Sequence, residues 1–183
     1  INARLINMRI LIFILIFSFT NKLYSDSQFE IFGMNLLDSV KDHASYSEIQ
    51  ELYDHPEASG FSHIYLDGKT NATFDTASAG VDKNYVIHEI AGQSNSEMSH
   101  KDCLTLIDRM IGRFEEKYSV IATFKENMYV DFSTSMYQVL DRDSNLFRIQ
   151  CRKDLNNNMS IVQMIYQTNT ILDAVNKFYD DGF

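Results

Sequence analysis

MYQVLDRDSNLFRIQCRKDLNNNMSIVQMIYQ, residues 136–167, decides the fold. Its runs MYQVL (136–140), LFRIQC (146–151) and MSIVQMIYQ (159–167) are rich in aromatic and β-branched residues, and the polar stretches DRDSN and KDLNNN separate them. Such stretches reverse the chain, because Asp, Asn and Ser side chains satisfy nearby backbone groups in turns. In the middle run Phe147, Ile149 and Cys151 share one face, and Arg148, Gln150 and Arg152 share the other. A period of two predicts strands with one face on a core and one toward water, the usual antiparallel arrangement. A three-stranded meander is expected here, with Cys151 pointing inward.

Outward from this core, Ser99-x-x-Asp102 can cap a helix, and Leu104, Ile107, Ile111, Phe114 and Tyr118 recur at spacings of three and four. They form one apolar stripe over 101–118, with Asp108, Arg109, Glu115 and Glu116 away from it. Cys103 lies in the first turn, where it can reach Cys151. Thr170-x-x-Asp173 is expected to cap a C-terminal helix that packs through Ile171, Leu172, Val175, Phe178 and Tyr179. Upstream, FSHIYLD (61–67) and YVIHEIA (85–91) read as strands of an earlier hairpin, joined by an exposed polar loop over 68–84. FEIFGM (29–34) suits a short first strand, and Leu36, Leu37 and Val40 follow at helical spacing. Ser45-x-x-Glu48 is a capping box for a further helical turn before Pro56. Residues 119–134 show no clear period. The pairs HIYLD/VIHEI and YQVLD/FRIQC hint at an internal duplication. The fold class is α+β: an antiparallel sheet packed by amphipathic helices.

MRILIFILIFSFTNKLYS (8–25) is read as an address. Its apolar run, 10–19, is half the roughly 20 residues that a membrane-crossing helix needs. Arg9 precedes the run, Asn21 and Lys22 end it, and small residues follow, which is the organisation of a secretory signal. Cleavage after Ser25 or after Ser27 both fit. Residues 1–25 are therefore expected to be a signal peptide, with 1–7, ahead of Met8, a spurious leader. Residues 26–183 form one globular domain with no stable membrane anchor. A periplasmic or secreted location follows.

The whole chain carries a formal charge of −9. Residues 1–25 hold Arg4, Arg9 and Lys22 and no acid, so the remainder is more acidic still. Nucleic-acid binding needs clustered cations to neutralise phosphates, and none is present. Apolar residues make up 45% of the chain, enough for a packed core rather than disorder. The only cysteines are Cys103 and Cys151, and in an exported chain they are expected to pair. Closing that loop stabilises the fold by about 4 kcal/mol in the chain-entropy model.

Motifs for chemistry are sparse. The five histidines, His43, His55, His63, His88 and His100, have no HxxxH or HExxH spacing. If the strands 61–67 and 85–91 pair, His63 and His88 approach each other with Glu89 alongside. Asp141, Asp143 and Asn145 begin like a calcium loop, but Leu146 replaces its glycine and Arg152 its bidentate Glu, so a hairpin turn is the better reading. Asn71-Ala-Thr73 and Asn158-Met-Ser160 fit the glycosylation sequon. The acid pairs Glu115–Glu116 and Asp180–Asp181 lie in solvated charge runs. There is no phosphate loop and no nucleophile elbow. Accordingly no catalytic residue, metal ligand or cofactor is assigned. The expected function is that of an exported, non-catalytic protein binding a protein or small ligand through one sheet face or the 68–84 loop. The alternative is a small secreted hydrolase with a site assembled from dispersed His and Asp/Glu.

FGMNLLDSV (32–40) resembles the glycine-led strand-to-helix junction of small exported bacterial α/β-sandwich proteins. These include the β-lactamase-inhibitor-like fold and the small lipoproteins of outer-membrane assembly. The resemblance implies a protein-binding module and carries no catalytic residue; the lipoprotein cysteine is absent here.

Overall fold

The computed structural model describes residues 29–180. The expected signal peptide and Asp181 lie outside them. The chain forms strands β1 (Tyr53–Asp54), β2 (Ser62–Tyr65), β3 (Thr76–Val81), β4 (Ile87–Gln93), β5 (Met98–Ser99), β6 (Thr123–Met128), β7 (Phe132–Leu140), β8 (Leu146–Asp154) and β9 (Met159–Gln167). Among the described residues three α-helices accompany them: α1 (Tyr46–Gln50), α2 (His100–Tyr118) and α3 (Asn169–Asp180). All nine strands join one antiparallel sheet in the order β1-β2-β3-β4-β9-β8-β7-β6, and β5 pairs with β9. An α+β fold with an antiparallel sheet and helices is thus established.

The period-two pattern of β8 separates the two faces. Phe147, Ile149 and Cys151 are at most 2% exposed and belong to the main core. Helix α2 lays Cys103, Ile107 and Ile111 on this side, and Phe114 stacks on Phe147 with centroids 4.0 Å apart. Phe29 meets Phe114 edge-on at 4.6 Å, and Met34, Leu36 and Val40 fill in beside it. Ser99 caps α2 by accepting the Asp102 N–H at 3.1 Å. Cys103 and Cys151 form a disulfide across a Cα separation of 5.9 Å, tying the helix to β8 as expected.

Four expectations are corrected. The 68–84 stretch is no open loop: TASAGV within it forms β3, with five of its six residues buried. Because β3 is covered on both faces and built of small residues, no alternation betrays it. In consequence the 61–67 and 85–91 strands do not pair with each other; each pairs with β3. The strand expected at 29–34 is a reversal instead. Ile31 and Met34 bridge across Phe32 and Gly33, both at positive φ, and glycine makes that turn affordable. Finally, α3 starts two residues earlier than a Thr170 cap implies. Thr168 accepts the Ile171 N–H at 3.5 Å and Thr170 lies inside the helix.

The capping box at α1 is present in both directions. The patternless 119–134 segment supplies β6, exposed along its whole length, and the start of β7. No helix among the described residues is long and apolar enough to cross a membrane.

Candidate binding face and a buried histidine–glutamate cluster

Register places a polar set on the sheet face opposite α2. Thr134, Met136 and Gln138 of β7 stand beside Arg152, Gln150 and Arg148 of β8. Those residues in turn face Ile161, Gln163 and Ile165 of β9, followed by Ala91 and Gln93 of β4. Gln150 donates to Gln163 and Gln163 donates to Gln93, each at 2.8 Å, so three amides form a ladder across three strands. Among the described residues, the buried side-chain atoms without a hydrogen-bond partner are His63 Nδ1, Thr134 Oγ1, Arg148 Nε and Gln167 Oε1. All four belong to this one face. Such atoms cost roughly 1–3 kcal/mol each when left unpaired, so their concentration here needs a reason.

Helix α3 covers the β4 side of this face. Its Ile171 and Val175 pack with Ala58 and Phe61 in a second, smaller core. Beneath lies one row of the sheet: His63 on β2, Gly80 on β3, Glu89 on β4 and Gln167 on β9. With no side chain at Gly80, His63 and Glu89 converge over it. His55 joins from the turn after β1, its Nε2 3.3 Å from Glu89 Oε1, and Gln167 donates to the other carboxylate oxygen. The side chains of His55 and Glu89 are only 5% and 8% exposed. One ligand atom from each of His55, His63 and Glu89 lies within 4.8 Å of the others.

The electrostatics follow from that burial. Desolvation on its own would raise the Glu89 carboxyl pKa. Hydrogen bonds from His55 and Gln167, with the charges of the two histidines, outweigh it and hold the group below its ordinary value. Desolvation pushes His63 down; Glu89 opposes this and His55 reinforces it, leaving the imidazole below its usual range.

Other candidates fall elsewhere. His88 occupies the irregular β3–β4 register near Val81 and contacts Thr168 Oγ1 at 3.0 Å and Asp82 at 3.7 Å, apart from the cluster. His43 contacts Asp38 at 3.4 Å. Asp141 spends its oxygens on Asp143 N–H, both donors of Asn145 and the Tyr166 hydroxyl, which makes 141–145 a turn with no oxygen left for calcium. Two open clefts flank the far end of the sheet. One, of about 290 Å³, contains Asp131, Phe132, Arg152 and Asp154. The other, of about 390 Å³, contains His100, Glu126, Ser133, Ser135 and Lys153. His100 Nδ1 is 3.0 Å from Ser160 Oγ, but Ser160 is 1% exposed and so poorly placed to attack a substrate.

The expected approach of His63 to His88, with Glu89 alongside, rests on a direct pairing of 61–67 with 85–91 that does not occur; His63 instead meets Glu89 across Gly80 of the intervening β3. His55 enters because β1 pairs with β2, matching Tyr53 to His63, and no local spacing signals it. Comparison of the chain with protein-family models, with curated proteins and with solved structures found no match.

Proposed function

We propose that this chain is an exported, non-catalytic protein that binds a polar ligand or partner segment on the sheet face opposite α2. The observation that carries the reading is the pair of unpartnered buried atoms Thr134 Oγ1 and Arg148 Nε on that face, beside the glutamine ladder. A hydrogen-bonding ligand laid across β7, β8 and β9 supplies acceptors for Arg148 and Thr134 and completes the amides of Gln150 and Gln163. The disulfide suits an oxidising compartment, in line with an exported chain.

The test is binding to arrays of soluble glycans and peptides, repeated with a Gln150→Leu/Gln163→Leu variant of unchanged circular dichroism. Binding by the wild-type chain that the variant loses is expected. Binding that the variant retains in full would sink the reading.

A second reading, a small secreted hydrolase, draws on the cleft lined by His100 and Glu126. Turnover of simple ester, peptide or glycoside substrates that His100→Ala abolishes would favour it over the first.

A further inference from the structure

The row His63–Gly80–Glu89–Gln167 has features that a ligand face does not require. His55 and Glu89 are sealed beneath α3, where an imidazole and a carboxylate are costly to keep. His63 Nδ1 is buried and has no partner. Nothing in the polar face explains why two imidazoles from different segments should close on one carboxylate.

We infer that His55, His63 and Glu89 form a binding site for a zinc-like divalent cation. Two imidazole nitrogens and a carboxylate oxygen are a donor set suited to zinc and neighbouring transition metals. Tetrahedral coordination at about 2.0–2.2 Å sets ligand atoms roughly 3.3–3.6 Å apart, so the present spread, up to 4.8 Å, closes by side-chain rotation of about an ångström. Gly80 lets Glu89, His55 and Ile171 close tightly over the sheet, which brings the donors together. A Cβ there would meet Glu89 Cβ at 3.0 Å, Ile171 Cδ1 at 2.9 Å and His55 Cδ2 at 3.4 Å. Gln167 holds the carboxylate from behind, as outer partners of metal ligands do. Its unpaired Oε1, or a water, can complete the coordination.

The site makes a specific demand on His55. Its Nδ1 now accepts the Glu57 N–H at 3.2 Å, so Nε2 carries the proton that points at Glu89. A neutral imidazole that binds metal through Nε2 must carry its proton on Nδ1 instead. The Glu57 N–H must therefore turn away when the ion enters. That bond is long, and the displaced amide gives the event a signature.

The experiment is a zinc titration of the full, disulfide-bonded chain, first stripped with a chelator that is then dialysed away. Calorimetry is expected to show one zinc per chain, with a melting temperature that climbs with zinc concentration. Cobalt is expected to give the visible absorption of a low-coordinate nitrogen–oxygen site. His63→Gln is expected to weaken zinc at least about tenfold, whereas His43→Gln, remote from the cluster, leaves it unchanged. In the wild-type chain the Glu57 amide resonance should move together with the ring signals of His55 and His63. No saturable zinc uptake, or uptake that His63→Gln retains, overturns the assignment. Should His63→Gln fail to fold, the wild-type spectra decide: Glu57 and the two rings unmoved at saturating zinc also overturn it.

Discussion

Two glycines show how single positions serve the two faces of the sheet. Gly80 looks toward Glu89 and Ile171, and Gly92 looks into the main core, where an added Cβ would lie 2.5 Å from Phe32 Cζ. Alanine at either position forces neighbours aside, at a cost of about 1–3 kcal/mol read by urea unfolding. The two differ in function. Gly80→Ala is expected to abolish zinc uptake because the methyl pushes Glu89 and His55 out of place, while Gly92→Ala is expected to leave it intact. Loss of zinc uptake in both would mean that general loosening, not local displacement, governs the site. A third residue reports on pH. The Ser45 side chain and backbone N–H hold the Glu48 carboxyl below its ordinary value, and the Asp67 N–H adds to this against a small opposing effect of burial. A depressed folded pKa contributes stability that is present above the unfolded value, near 4.5, and is lost as pH falls through the folded one. Glu48→Gln should therefore lower stability near neutrality, and its deficit against wild type should vanish in acid. An undiminished deficit in acid would show that the charge is not what stabilises the turn.

At the scale of elements, legibility followed from how many faces an element buries. Strands β8 and β9 and helix α2 each bury one face and present the other to water, so period two and period 3.6 were written in their residues. Strand β3 buries nearly all of TASAGV, and a run without contrast carries no period to read. Missing it hid the neighbour of both β2 and β4, and with it the alignment of His63 and Glu89. The cluster was thus barely legible: His63 and Glu89 were expected to be close only through a direct strand pairing that β3 prevents, and His55 depends on a two-residue strand that no pattern announces. The disulfide was legible because both ends lay on well-patterned elements, with Cys151 on the inward face of β8 and Cys103 in the first turn of α2. Its removal tests how the helix is held. Cys103→Ala/Cys151→Ala is expected to cost about 2–5 kcal/mol in chemical denaturation. The helix should still dock through Ile107, Ile111 and Phe114, which keep their places on β8. A variant of unchanged stability would place the anchoring of α2 in its apolar stripe alone.

At the largest scale, the two separate cores among the described residues imply two levels of stability. The main core joins α2, residues 29–40 and the strands from β2 across to β7, whereas Ala58, Phe61, Ile171 and Val175 form a small cluster of their own. A helix resting on so few apolar contacts opens without disturbing the sheet beneath it. Amide exchange should therefore be fastest in α3 and around residue 55, and slowest in β8 and β9, which are paired on both sides and stapled to α2. Zinc sharpens this prediction, because the ion lies beneath α3 and binds only the closed form. At saturation it should slow exchange in α3 and near residues 55–63 and leave β7 and the β8 end nearest it unchanged. Hydrogen exchange followed by mass spectrometry, with and without zinc, reads both effects in one experiment. Uniform slowing across every strand would mean that α3 opens only when the whole sheet does, and the division into two cores would be wrong.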